Sequence, residues 1–146
     1  MNAQPINRLA RLHDYGLLVL RLGFGFCILY GHGLGKLERL FSPEEIQFAD
    51  PFGLGPATSL VLATFAEVVC AVLLMAGLFT RVVLVPLTVV VLTAFFSVHL
   101  TQTFGQQEKA ILFACAFVAL FLTGPGRFSL DAVWRARQFR ARGIGR

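Results

Sequence analysis

Four long apolar runs dominate this chain and leave it few ways to fold. They cover residues 15–35, 57–79, 82–100 and 109–123, each close to the ~20 residues that carry a helix across a ~30 Å hydrocarbon layer. Arg21 and His32 interrupt the first run, Glu67 the second and His99 the end of the third, while Pro86 lies near the start of the third. The fourth is the shortest and stops at Gly124-Pro125-Gly126, where glycine is permissive and proline cannot continue a helical ladder. In lipid every backbone N–H and C=O must be paired within the structure, which favours helices here. A membrane barrel would need apolar and polar residues in alternation, and these runs do not alternate. The expected fold is all-α: a four-helix membrane bundle forming a single domain over residues 1–146.

Composition supports that reading. Of 146 residues, 56% are hydrophobic and only 14% charged, with a mean hydropathy of +0.71. A soluble domain of this length could not cover itself with so few polar groups. The apolar excess is therefore assigned to the lipid bilayer. The N-terminal run carries Arg21, lacks a small-residue cleavage pattern and precedes three further apolar runs, so it does not read as a cleavable signal.

The net charge of +5 is unevenly spread. Arg127, Arg135, Arg137, Arg140, Arg142 and Arg146 crowd the basic tail 127–146. With both termini in the cytoplasm, these six join Arg8, Arg11 and Arg81 on the inner side, against Lys36, Arg39 and Lys109 outside. Such an excess orients a multi-pass protein. It marks anionic lipid, not nucleic acid, as the partner of the tail.

Two connecting segments carry their own signals. Ser42-Pro43-Glu44-Glu45 places a capping hydroxyl, a proline at the first helical position and a glutamate at the third, which predicts a short outer-face helix over 43–49. Phe48 and Phe52 would seat it in the interface. A tight turn is expected at Thr80-Arg81. After Arg127, Ser129 can cap a short helix with Leu130, Val133 and Trp134 toward lipid; a partly disordered basic tail fits the same residues.

Ionisable groups within a bilayer are costly, so each is a functional candidate. Arg21, Gly25, His32 and Lys36 share a face of the first helix at 3.6 residues per turn. Ala63, Glu67, Cys70 and Ala71 make a stripe of mostly small residues that directs Glu67 into the bundle. At ~1.5 Å per residue, His32 and His99 lie roughly 25 Å above the cytoplasmic boundary, Glu67 about 18 Å and Arg21 about 8 Å. Lys36, Gln102 and Glu108 fall slightly further out than the histidines, at a common outer mouth. An Arg21–Glu67 pair would need Arg21 to extend outward, or a bridging ligand. The structural alternatives are plain: Arg21 snorkelling to headgroups, satisfied interfacial histidines, and Glu67 in an interhelix hydrogen bond.

Other patterns are poorer. Cys27, Cys70 and Cys115 all lie inside apolar runs, with no Cys-x-x-Cys and no metal spacing, and read as small packing residues. Gly31-His-Gly-Leu-Gly-Lys36 has Tyr30 and Leu37 where a phosphate loop needs glycine and Ser or Thr. Gly23-Phe-Gly25 lacks both the third glycine and the preceding strand of a dinucleotide fingerprint. His32 and His99 lie on different helices with no evident third strong ligand, so a haem or metal site has little support from the residues.

From Leu18 to Asp131 the chain resembles the DoxX family. The resemblance rests on Arg21 with Gly23 and Gly25, Gly31-His-Gly-Leu-Gly-Lys36, Glu67, Gly77-Leu-Phe-Thr-Arg81, His99, Glu108 and Thr123-Gly-Pro-Gly-Arg-Phe-Ser-Leu-Asp131. It implies a four-helix protein of the bacterial inner membrane. Some relatives are quinone-linked, among them the large subunit of thiosulfate:quinone oxidoreductase, and others belong to membrane oxidoreductase complexes. The implied function is a quinone-interacting component of a membrane oxidoreductase system. Glu67, His32 and His99 would then carry protons, and Arg21, Gly25, Lys36 and Glu108 would line the binding region. With no cofactor motif in the chain, electrons would come from a soluble or membrane redox partner protein. Two other readings use the same residues: a small-molecule transporter, and a non-catalytic scaffold for soluble partners.

Overall fold

The computed structural model describes residues 4–99 and 103–141, with the side chains of 4–7, 98, 99, 106, 140 and 141 left out. All regular structure among them is helical. Helix α1 runs over 4–40, as α-helical Gln4–Ile28, a π-helical turn Leu29–Gly33, and α-helical Leu34–Leu40. Helix α2 covers 56–76, with a π-helical Phe65–Cys70 between Pro56–Thr64 and Ala71–Ala76. Helix α3 covers 80–99 and ends in a π-helical Phe95–His99. Helix α4 is Phe104–Thr123, and α5, at the tail, is Leu130–Ala141. By length and composition, three stretches suffice to cross a membrane: Arg8–Leu40, Pro56–Ala76 and Thr80–Ser97.

Leu17, Ile28, Leu74, Leu84, Leu87, Phe117 and Leu120 are buried in a common core drawn from α1 to α4. The outward faces are equally apolar: Val19, Phe26, Leu62, Val82, Val85 and Leu122 are all exposed. A band of exposed apolar side chains this extensive is compatible with lipid contact and unlike a soluble surface. Lipid is as apolar as leucine, so helix contact here depends on close packing at small residues. At Gly25 a Cβ would lie 2.5 Å from Met75 Cγ and 3.2 Å from the Ala71 carbonyl oxygen. At Gly33 it would lie 2.7 Å from the Glu67 carbonyl oxygen. These two glycines let α1 lie directly against α2. Hydroxyls on the spans are satisfied locally, with Thr64, Thr88 and Thr123 donating to the carbonyls of Leu60, Leu84 and Ala119. This is the usual solution where no water is at hand.

Element ends differ from the sequence expectation in several places. Helix α1 continues through the glycine-rich stretch to Leu40, because Gly31, Gly33 and Gly35 sit in helical turns and do not end it. Helix α4 starts at Phe104, absorbing most of the expected polar loop. Between α2 and α3 the turn is Gly77–Phe79, and Thr80 and Arg81 already belong to α3. Gly77 ends α2 at φ +67°, with Gly77 N–H donating to Leu74 O and Leu78 N–H to Leu73 O, a paired closure that needs a left-handed residue.

The expected outer-face helix over 43–49 is absent; these residues are irregular. Ser42 does accept a hydrogen bond, but from Glu44 N–H two residues on, closing a turn that goes no further. A stretch this short is marginal without a packed face. The order in this loop comes instead from Asp50, whose carboxylate accepts from Leu54 N–H, Gly55 N–H and Ser59 Oγ. Those bonds hold the entry to α2 and keep the Asp50 carboxyl below its ordinary range, the Ser59 hydroxyl contributing most.

Candidate functional site

Glu67 is buried, and its partner is Lys36, whose Nζ donates to Oε2 in an ion pair. The geometry follows from local packing. Gly33 presses on the Glu67 backbone carbonyl, and Lys36, three residues further along α1, is thereby carried to the Glu67 carboxylate. Both contact surfaces are π-helical, 29–33 on α1 and 65–70 on α2. His32 lies in the first of these turns, and its ring meets Phe113 of α4 edge-on at 6.0 Å. The third π-helical turn, 95–99, ends on His99, whose side chain lies outside the described residues, as do Leu100 and Gln102. Single π-turns inside α-helices occur frequently at functional sites. Here each of the three holds one of the ionisable residues singled out from sequence.

Arg21 does not extend outward to Glu67, and no direct Arg21–Glu67 pair is formed. Arg21 is completely buried midway along α1, about four turns before Lys36, and its Nη groups donate to the carbonyls of Phe128 and, at 3.4 Å, Met75. It does not snorkel, because the chain closes over it. A Cβ on Gly77 would overlap Arg21 Nη1 and lie 2.6 Å from Ser129 Cβ. Gly25 packs against α2 and lines no polar site, and Glu108 is exposed on α4. Of the cysteines, Cys70 is in the core while Cys27 and Cys115 face outward.

Around Arg21 the chain forms a clamp that sequence reasoning did not foresee. Asp131, in the first turn of α5, accepts from Phe79 N–H and Thr80 N–H at 2.8 and 2.9 Å, capping α3 from the far end of the chain. Its own N–H donates to Gly77 O. Phe79 is held at φ +50°, a left-handed conformation unusual for a bulky residue, next to the Trp134 ring at 5.4 Å. Asp14 of α1 accepts from Arg127 N–H, and Ser129 Oγ accepts from Ala132 N–H at the start of α5. Among the described residues, Arg21 Nε and Thr80 Oγ1 are buried without a hydrogen-bond partner. The only signal for this clamp in the sequence was the set of segments Gly77–Arg81 and Thr123–Asp131, whose members meet here.

Comparison with protein families decides what these segments belong to: the DoxX family model matches residues 16–100. The chain belongs to the DoxX family. The match takes in Arg21, Gly33, Lys36, Glu67 and Gly77, and so the ion pair and the α1–α3 side of the clamp, while Asp14 and residues 127–134 lie outside it. No curated protein and no solved structure matches this DoxX-family chain. It is a membrane protein by family and by its apolar helices.

Proposed function

We propose that this DoxX-family protein is a quinone-interacting component of a membrane oxidoreductase system, and that Glu67 with Lys36 forms the polar centre of its site. The observation that carries the reading is an ion pair between the buried Glu67, in a π-helical turn of α2, and the half-buried Lys36, just beyond the π-helical turn of α1. Removing the Glu67 charge from water is costly, so a carboxylate paired in this position asks for a role beyond stability. Quinone reduction takes up two electrons and two protons. Glu67 is placed to hold a proton, Lys36 to stabilise the carboxylate when the proton leaves, and His32 to exchange protons with the loop end of the bundle. An apolar groove of about 360 Å³, lined by Phe52, Val89, Leu92 and Phe96, lies at that end beside the last turn of α3. Its size and lining suit part of an isoprenoid chain. His99, two residues beyond Ser97 of that groove, is the second proposed proton carrier, and Glu108 lies on the first turns of α4. Electrons are assigned to a redox partner protein.

The same reading takes α4 as a fourth span, its length matching the bilayer. It treats the chain as one domain and places the protein in the bacterial inner membrane, with the termini in the cytoplasm. Asp14 and Arg127 are hydrogen-bonded, which favours both ends of the chain at one membrane face, and the arginine excess puts that face inside.

The direct experiment is the quinone content of protein purified in mild detergent, measured by extraction and mass spectrometry for wild type, Glu67→Gln, Lys36→Met and His32→Ala. Near-stoichiometric quinone in wild type, lost in Glu67→Gln or Lys36→Met, is the expected result. Trace quinone, equal in all four, sinks the proposal and leaves transport and scaffolding to be tested by flux and by partner capture.

A further inference from the structure

The end of the bundle that carries the clamp also holds an open cleft of about 590 Å³, walled by the first turn of α3, the 123–127 turn, α5 and the His13–Leu17 stretch of α1. Nothing in the redox reading uses it. Two carboxylates line it, and both are directed at backbone: Asp14 at Arg127 N–H, Asp131 at Phe79 and Thr80 N–H. Three arginines line it as well. Arg81, Arg127 and Arg135 are exposed, and among the described residues none of them is in an ion pair. The Arg81 guanidinium lies over Gly124, with Nη2 3.9 Å from where a Cβ would be. Three exposed guanidinium groups around a cleft of this size offer donors to a tetrahedral oxyanion.

The surroundings say which oxyanion. Trp134 and Phe79, in edge contact at the cleft, are both exposed, and Val82, Leu130 and Val133 beside them are exposed and apolar. A tryptophan beside arginines at the end of apolar helices is the composition of a membrane interface, and anionic lipid is drawn to clustered arginine there. We propose that this cleft binds the phosphate headgroup of an anionic phospholipid. Its non-bridging oxygens would accept from the guanidinium groups of Arg81, Arg127 and Arg135, while its acyl chains would run along the apolar face by Val82 and Leu130.

The test uses the full chain in mild detergent with phosphatidylglycerol, phosphatidylcholine or inorganic phosphate added, read by native mass spectrometry of retained lipid and by the unfolding temperature. Phosphatidylglycerol is expected to be retained in preference to phosphatidylcholine and to raise the unfolding temperature. Arg81→Gln and Arg135→Gln should each reduce that preference roughly fivefold. Arg39→Gln, an exposed change at the opposite end, should leave it intact. Equal retention of the two lipids, or a preference that survives Arg81→Gln with Arg135→Gln, overturns the proposal. So does stabilisation by inorganic phosphate with no preference between the lipids, which would assign the cleft to a soluble phosphate.

Discussion

Arg21 occupies the space that a side chain on Gly77 would need, so the most buried cation of the protein and its most constrained glycine specify one another. Gly77→Ala adds a steric overlap to a residue already at φ +67°. We expect a loss of about 1–3 kcal/mol, from backbone strain together with displacement of the guanidinium. Gly16→Ala, where a Cβ meets nothing within 4 Å, is the control. Thermal unfolding in detergent should separate the two variants, and equal midpoints would show that Arg21 yields without cost.

The Lys36–Glu67 pair should show strong coupling. Lys36→Met alone leaves a buried carboxylate without its counter-charge, a loss of about 3–5 kcal/mol while Glu67 stays ionised. Adding Glu67→Gln to Lys36→Met should recover most of it. A double-mutant cycle on unfolding free energies checks this, and additive single effects would mean that the pair is not a unit.

Asp131 ties the tail to the bundle through two backbone N–H groups of the α2–α3 turn. Asp131→Ala removes both acceptors, and a loss of about 1–2 kcal/mol is expected by analogy with a helix cap. The more specific readout is local. Trypsin should cut at Arg135 and Arg137 faster in the variant than in wild type, with cleavage elsewhere unchanged.

The loop before α2 should be acid-sensitive through Asp50. Its carboxyl is depressed in the folded protein, by the Ser59 hydroxyl first and by the amides of Gly55, Leu54 and Gly53. A depressed value means the carboxylate stabilises the fold above its ordinary value of about 3.9, and that this contribution fades as pH falls through the lower, folded value. The difference in unfolding midpoint between wild type and Asp50→Asn should therefore be constant from pH 7 to about pH 4 and shrink below. A difference that already shrinks between pH 7 and pH 5 would point to a different group.

Apolar run length was enough to read the helices from sequence, because lipid forbids unpaired backbone and nearly fixes what such a run becomes. Glu67 was legible for a related reason: a central carboxylate among small residues has to face the bundle. Its partner was not. From sequence Lys36 shares the helical face of Arg21 and His32 yet counts with the outer loop, and nothing in its spacing brings it to Glu67. In the protein the glycines before it stay helical, and Gly33 uses its missing side chain to bring α1 onto the Glu67 carbonyl. The short helix expected at 43–49 failed because a capping pattern starts a helix only where something later packs it. Asp131 was harder still to read, as it serves amides some fifty residues away and leaves no periodic trace. The clamp's parts were visible only as separate segments of a family resemblance.

The position of the Phe128 carbonyl has a consequence for biogenesis. Arg21 leaves the ribosome 107 residues ahead of Phe128, and long before Asp131 locks the turn that encloses it. For most of translation, then, the first hydrophobic segment carries a charge whose Phe128 acceptor does not yet exist. The translocon or the headgroup layer has to accommodate that guanidinium until the last segment is made. A ribosome that stops early releases a chain with its hydrophobic segments in place and an uncovered arginine among them, a defect that membrane proteases and chaperones can recognise. Residues 128–131 thus complete the seat of a charge that the first helix carries from the outset.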